Sequence, residues 1–278
     1  MLTRSIPSTG EALPVIGCGT WRAFNVGASP AERLPLHGVL RTLLDAGGTL
    51  VDSSPMYGRA EAVVGATIEA LGARDAAHRG RAFLATKVWC HGREAGIAQM
   101  SRSLALLRVP RLDLVQIHNL VDWRTHLPTL RAWKAEGRVR HVGITHFKAG
   151  EQPALEAVMR AETIDFVQVN YSLGDRAAER SLLPLAAERG IAVLVNRPFG
   201  MGSLVRRLER ERLPGLAAEL GCAGWPELAL KYVLAHEAVT CVIPGTASPG
   251  HMAANARAGL GPLPDAALRQ RILTAAGL

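Results

Sequence analysis

Lysine is scarce in this chain, with four against 28 arginines in 278 residues. Basic surface positions are therefore normally filled by arginine, and a lysine that survives needs a reason. The four cysteines, Cys18, Cys90, Cys222 and Cys241, show no C-x-x-C spacing and no histidine at finger-like intervals. That pattern suggests neither a disulfide framework nor a structural zinc site, and a reduced, cytoplasmic protein is the expectation. The amino-terminal stretch MLTRSIPSTGEALPVIG has no apolar signal core, and nowhere do about 18 uncharged apolar residues run together. Signal peptide and membrane anchor are both excluded on this reading. Low-complexity tracts are also missing. The net charge of +8 favours anionic ligands in general. Its densest cluster, Arg206-Arg207-Leu208-Glu209-Arg210-Glu211-Arg212, is interrupted by acids and reads as a solvated helix face, so no nucleic-acid partner is expected.

What is present is a βα grammar. Two apolar runs of strand length, in Arg81–Trp89 and Arg111–Asn119, end in Lys87 and His118 with a helix-like interval between them. Lysine is a compact charge whose pKa shifts readily on burial, which suits a site better than a solvated face. Snorkelling from a strand end to water is the bland alternative for Lys87, and a lone histidine such as His118 is weaker still.

The rest of the chain repeats the pattern. A hairpin is expected over Thr3–Leu13 around Ser8-Thr9-Gly10-Glu11. Strands follow at Val15–Thr20, Thr49–Asp52, Ala82–Lys87, a run ending at His118, Val139–Thr145, Phe166–Asn170, Gly190–Val195 and Val239–Ile243. Helices alternate with them at Leu34–Asp45, Ala60–Leu71, Glu94–Leu107, Leu127–Glu136, Glu151–Arg160, Leu182–Arg189, Pro226–His236 and Pro249–Arg257. Near-continuous apolar strands alternating with helices predict a parallel sheet closed into a (β/α)8 barrel: one TIM-barrel domain over residues 1–278, preceded by the hairpin. The competing open doubly wound sheet would usually carry a glycine-rich nucleotide turn. Gly17-Cys18-Gly19-Thr20-Trp21-Arg22 lacks the third glycine of that fingerprint, and no P-loop occurs.

A barrel gathers polar residues from the carboxyl ends of its strands at one mouth. Here those ends supply Trp21, Asp52, Lys87 with Trp89, His118 with Asn119, Thr145 with His146, Gln168 with Asn170, Asn196 with Arg197, and Gly245 with Thr246. The loop Asp52-Ser53-Ser54-Pro55-Met56-Tyr57-Gly58 adds an acid and a phenol.

Seven segments occur together in an order and spacing that resembles the aldo-keto reductase superfamily: GCGTW, the ten residues Asp52–Glu61, ATKVW, LDLVQIHN, HVGITHF, QVNYSL and VIPGTASPGHMAAN. The resemblance spans nearly the whole chain. It implies reduction of a carbonyl by a nicotinamide cofactor, with Asp52, Tyr57, Lys87 and His118 as catalytic tetrad. The chemistry suits these types: hydride addition builds negative charge on oxygen, and a tyrosine both donates a proton and holds that oxygen. Lys87 is expected to lower the phenol's pKa, Asp52 to hold Lys87, and His118 to orient the carbonyl.

The resemblance also places cofactor contacts at Thr20, Trp21, Asp52, Thr145, His146, Gln168, Asn196, Arg197, Pro198, Phe199, Gly200, Ile243, Gly245, Thr246, Ser248, His251 and Asn255. Thr145, His146 and Gln168 match positions that bind the carboxamide. Where many members stack an aromatic residue on the nicotinamide, this chain has Asn196, whose amide is expected to hydrogen-bond instead. At the positions where strict NADPH users carry a lysine and an arginine stand Gly245 and His251, so NADPH use with weak discrimination against NADH is expected. Trp21, Met56, Tyr57, Trp89 and His118, with Trp123 as a further candidate, suggest an apolar pocket for small or aromatic carbonyl compounds. The chain's close at Leu278 leaves little for a loop over that pocket, and a monomer or weak homo-oligomer is expected.

Two other classes stay open. A nicotinamide-binding regulatory subunit would keep the site and show little turnover. A barrel isomerase or metal hydrolase would need clustered ligands such as H-x-H, which are absent, as is the Tyr-x-x-x-Lys pair of short-chain reductases; no metal is expected.

Overall fold

The computed structural model describes residues 1–74 and 82–278, so Arg81 of the first strand-like run lies outside the described residues. Strand β1 (Thr3–Ser5) pairs antiparallel with β2 (Ala12–Pro14), turning through Gly10 at φ 74°. Eight parallel strands follow: β3 (Cys18–Gly19), β4 (Leu50–Asp52), β5 (Phe83–Val88), β6 (Leu112–His118), β7 (Val139–His146), β8 (Phe166–Asn170), β9 (Ala192–Asn196) and β10 (Val239–Val242). Each pairs with the next in sequence, the neighbour order of successive βαβ units.

The first and last strands meet through two parallel bridges, Ile16 to Val242 and Gly19 to Gly245, which close the barrel. A Cβ on Gly19 would sit 2.8 Å from the Ile243 carbonyl oxygen, and one on Gly245 would sit 3.0 Å from that of Gly19. Glycine at these positions therefore answers to backbone approach at the seam. The expected strand Val15–Thr20 forms a ladder with β4 only at Cys18–Gly19.

Helices cover the outside of the barrel. Pro30–Asp45 starts four residues earlier than the apolar pattern indicates, because Ser29 caps it by accepting from the Glu32 amide and Pro30 supplies the first turn. Trp123–Ala135 also starts early and carries Pro128 within it. The arginine cluster is helical only over Ser203–Leu208, so no continuous helix face runs to Arg212. A helix at Ala266–Ala275 lies outside the eight expected from the sequence pattern; Arg269 pins it to Glu179 and to the Tyr171 hydroxyl.

Strand side chains alternate between two cores with the period of two that strands impose. Outward-facing residues such as Val51, Leu84, Val115, Ile117, Val167 and Val193 pack under the helices. Inward-facing residues form a separate interior cluster that includes Leu50, Phe83, Ala85, Leu114, Phe166, Ala192, Leu194, Cys241 and Ile243. The hairpin's Ile6 and Leu13 join this cluster and close the amino-terminal end of the barrel. The buried ring of His141 lies between Phe83 at 5.9 Å and Phe166 at 5.4 Å, completing a plug of three rings.

Continuing the same alternation two residues further along each strand gives Asp52, Lys87, Gln116, Thr145, Gln168 and Asn196. The apolar interior thus ends where a polar tier begins, and register fixes its members: Lys87 lies beside Gln116, His118 beside Thr145, Thr145 beside Gln168, and Asn170 beside Asn196.

Candidate active site

The polar tier is organised on Asp52. Its Oδ2 accepts from Lys87 Nζ at 2.6 Å, and its Oδ1 accepts from the amides of Gln116 at 2.9 Å and Gln168 at 3.0 Å. Lys87 Nζ donates its second bond to the Ser53 carbonyl at 2.9 Å. Lys87 is fully buried and Asp52 almost so. Burial works against the Lys87 charge, but the Asp52 carboxylate and the neighbouring Tyr57 outweigh it and hold the ammonium above its usual range.

Tyr57 follows on the short turn Pro55–Tyr57, capped by Ser54. Lys87 Nζ lies 5.2 Å from its ring centroid. The sequence expectation that lysine would lower the phenol's pKa is only half met. Burial raises it most and the Lys87 charge pulls it down by less, so the net shift is upward. The phenol is therefore held in its protonated form, the form a proton donor needs.

His118 is buried at the end of β6, with its ring edge-on to Tyr57 at 5.9 Å and Nδ1 paired with the Ser54 hydroxyl at 3.0 Å. Burial, the Lys87 charge and His146 press its pKa down to about 3, so the imidazole is neutral. In the tautomer where the Ser54 hydroxyl donates to Nδ1, Nε2 carries the proton and is a donor.

The other expected residues fall into two groups. Thr145, Gln168 and Asn196 form one row: Gln168 Oε1 receives only long contacts, at 3.4 Å, from the Thr145 hydroxyl and the Asn196 amide, and Asn196 Oδ1 is buried without a partner. His146 is buried next to the row, with Nδ1 accepting from the Lys148 amide. Beyond β10 lie Ile243, Gly245, Thr246, Ser248, His251 and Asn255; Ser248 caps the helix Pro249–Arg257 by accepting from the His251 amide. Pro198, Phe199 and Gly200 follow Arg197 in the loop after β9. Thr20 is fully buried and its hydroxyl is committed to the Asp52 carbonyl and Ser53 Oγ, which makes it a support for the acid-bearing loop.

Trp21, Met56 and Trp89 remain exposed at 36, 38 and 42%, large apolar groups left uncovered around the mouth. Trp123 is half-buried and packs against the helix-side core, as Tyr57 also does in part. Sequence reasoning missed Gln116, Ser53 and Ser54 as parts of the site. An amide in the apolar run Leu112-Asp113-Leu114-Val115-Gln116-Ile117, on the inward parity with His118, was the available signal for Gln116. A cavity of about 520 Å³ opens at the opposite end of the barrel beside Glu11, Asp113 and Arg140, and none of the mouth residues lines it.

Backbone strain also concentrates at the mouth. Of seven non-glycine residues at positive φ among the described residues, six (Arg22, Asn119, Leu120, Asp122, Arg197 and Met201) lie in loops leaving strand carboxyl ends. Such strain tends to be kept where function demands it.

Residues 15–270 match the model of the Aldo/keto reductase family, and the chain belongs to that family. It is an oxidoreductase by this membership. It is 29% identical over 222 residues to aldo-keto reductase YhdN of Bacillus subtilis, an alignment covering 74% of this chain and 65% of that protein. It is 27% identical over 242 residues to the NADH-specific methylglyoxal reductase of Escherichia coli, covering 75 and 70% respectively. The crystal structure of an aldo-keto reductase from Klebsiella pneumoniae in complex with NADPH superposes with a TM-score of 0.80 at 26% identity, covering 98% of this chain and 96% of that one. Among the described residues no helix is long and apolar enough to cross a membrane, and no group of metal-ligating side chains is found.

Proposed function

We propose that the chain, acting as one domain over residues 1–278, reduces the carbonyl of small or aromatic aldehydes and ketones, with Tyr57 as proton donor. The observation that carries this reading is the fully buried Lys87–Asp52 pair, set beneath a phenol that opens onto an apolar-walled mouth. When bound, a reduced nicotinamide supplies the hydride. The unpartnered Asn196 Oδ1 and the loosely engaged Gln168 Oε1 fit its carboxamide, which offers two N–H donors and one acceptor, and Thr145 and His146 border the same row. Thr246, Ser248 and the amino end of helix Pro249–Arg257 suit the phosphate-bearing end. Neither position 245 nor 251 carries a lysine or arginine, which supports use of both NADPH and NADH, and relatives bound to NADPH or specific for NADH frame that range.

Within the site, Tyr57 donates to the carbonyl oxygen as negative charge grows there. The adjacent ammonium of Lys87 stabilises the phenolate that remains. Asp52, itself steadied by Gln116 and Gln168, keeps Lys87 charged and aimed. Nε2–H of His118 gives the same oxygen a second donor. Trp21, Met56 and Trp89 supply the apolar walls. A reduced cytoplasmic setting is part of the proposal, in keeping with four unpaired cysteines, and fractionation with a cytoplasmic marker tests it.

The decisive assay follows loss of reduced-nicotinamide absorbance with NADPH and then NADH against 4-nitrobenzaldehyde and methylglyoxal, for the native chain and Tyr57→Phe. Positioned proton donors contribute about 10²- to 10⁴-fold, and a loss of that size with cofactor binding retained is expected. Cofactor binding without turnover across a broad carbonyl panel would instead favour a redox-sensing subunit.

A further inference from the structure

Two arginines at the mouth take no part in the proton transfer proposed for Tyr57, although the family resemblance counts Arg197 among the cofactor contacts. Arg22 follows β3 and Arg197 follows β9, each on left-handed backbone at φ 63° and 49°. The Arg197 guanidinium lies 4.2 Å from the Phe147 ring centroid and 5.6 Å from that of Trp21, and Arg22 covers Trp21 at 4.4 Å. Neither guanidinium makes a hydrogen bond or an ion pair with a described residue.

For Arg197 this is unusual within the molecule. The other half-buried arginines among the described residues, Arg4, Arg33, Arg138, Arg140, Arg176 and Arg269, each meet a carbonyl or carboxylate oxygen. A guanidinium has five N–H donors in a planar fork matched to a carboxylate, and stacking against rings fixes the plane without satisfying any of them. Leaving such donors half out of water costs stability unless an anion completes them. Burial lowers the pKa of Arg197, with Tyr57 acting in the opposite direction and Arg22 adding to the lowering, so its field reaches both groups.

We propose that Arg197, with Arg22 beside it, is a carboxylate subsite, and that the preferred substrates are aldehydes or ketones bearing a carboxylate remote from the carbonyl reduced at Tyr57. This rests on the reductase reading and narrows its substrate class. The diphosphate of a bound cofactor is the other anion able to use these charges. The substrate is favoured because Arg197 is clamped between rings that border the mouth and because its charge is felt at Tyr57, where the carbonyl is to be protonated.

The test compares 4-carboxybenzaldehyde with its methyl ester at saturating NADPH, in the native chain, Arg197→Met and Arg197→Lys, with cofactor dissociation constants measured by fluorescence quenching. A charge-assisted fork is worth about 10- to 100-fold, and the native chain is expected to favour the acid over the ester in kcat/KM by that factor. Arg197→Met is expected to collapse the ratio toward one through KM, and Arg197→Lys to restore part of it. A native ratio near one, or a ratio unchanged in Arg197→Met, overturns the proposal. A cofactor dissociation constant raised tenfold with the ratio unchanged overturns it in favour of the diphosphate. If neither aldehyde turns over, the reductase reading fails, and calorimetry of terephthalate against its monomethyl ester on the cofactor-loaded protein still decides the subsite. Tighter binding of the dianion that is lost in Arg197→Met upholds it, and equal binding sinks it.

Discussion

Replacing Lys87 by methionine removes a charge while keeping most of the stem that fills the barrel interior. Asp52 is then left as a buried carboxylate with two amide donors, Gln116 at 2.9 Å and Gln168 at 3.0 Å, and no counter-ion. Breaking a buried pair from one side costs about 3–5 kcal/mol, and the two amides place this case near the lower end. Asp52→Asn, made separately, strands the ammonium with the Ser53 carbonyl as its remaining acceptor of full strength, at a similar cost. The double variant holds no net charge. Its chief loss is the donor to the Ser53 carbonyl, about 1–3 kcal/mol. The two single costs, about 3 kcal/mol each, should therefore together exceed the double by about 3–5 kcal/mol, the signature of coupled neighbours. Urea unfolding followed by far-ultraviolet circular dichroism and by tryptophan fluorescence supplies the free energies, with coincident transitions licensing the comparison. Additive single effects, each below about 1 kcal/mol, would show that the pair is not desolvated and would remove the physical basis given to Lys87.

His118 supplies a pH signature. Its folded pKa of about 3 lies below the unfolded 6.5, so between these values the unfolded chain binds the extra proton and stability falls as pH falls. Relative to His118→Gln, the native chain should lose stability with a slope approaching 1.4 kcal/mol per pH unit, about the single-proton limit, between pH 6 and 4. Parallel profiles would mean that the imidazole is not held neutral. Gly65 sits mid-helix, where alanine ordinarily gains up to about 1 kcal/mol. Here the new Cβ would collide with the Leu106 carbonyl oxygen and come within 2.9 Å of Leu107 Cα, so Gly65→Ala should lower stability by about 1–3 kcal/mol. A higher melting temperature for that variant would refute the close approach of these two helices.

The barrel was legible because its strands are continuous apolar runs between glycine and polar stops. Phe166–Asn170 and the helix Pro249–Arg257 coincide with their expected limits, where punctuation is sharp. The register that brings Asp52, Lys87 and His118 to one tier could not be read from spacing alone, although each was legible as a strand end; Tyr57 lies in the loop after β4, and its catalytic role came only from the family resemblance. What escaped had weaker local signals. The helix Ala266–Ala275 buries only Ile272, too little to leave an apolar stripe in the sequence, and it is held by Arg269 reaching across to Glu179. Its one sequence mark is Asp265, which caps it by accepting from the Leu268 amide. The start of Pro30–Asp45 is set by the Ser29 and Glu32 side chains, ahead of any apolar periodicity. The phenol's upward shift is a sum over the folded surroundings, in which burial outweighs a neighbour that sequence could name.

The ring plug of Phe83, His141 and Phe166 has a bearing on traffic as well as on packing. If this floor is as closed to solvent as its packing suggests, a test of hydrogen exchange at Lys87 should find it reached from the mouth. Whatever seats itself beside Trp21, Tyr57 and Trp89 is then a stopper as well as a reactant, and the ion pair below it stays cut off from bulk solvent for as long as the visitor remains.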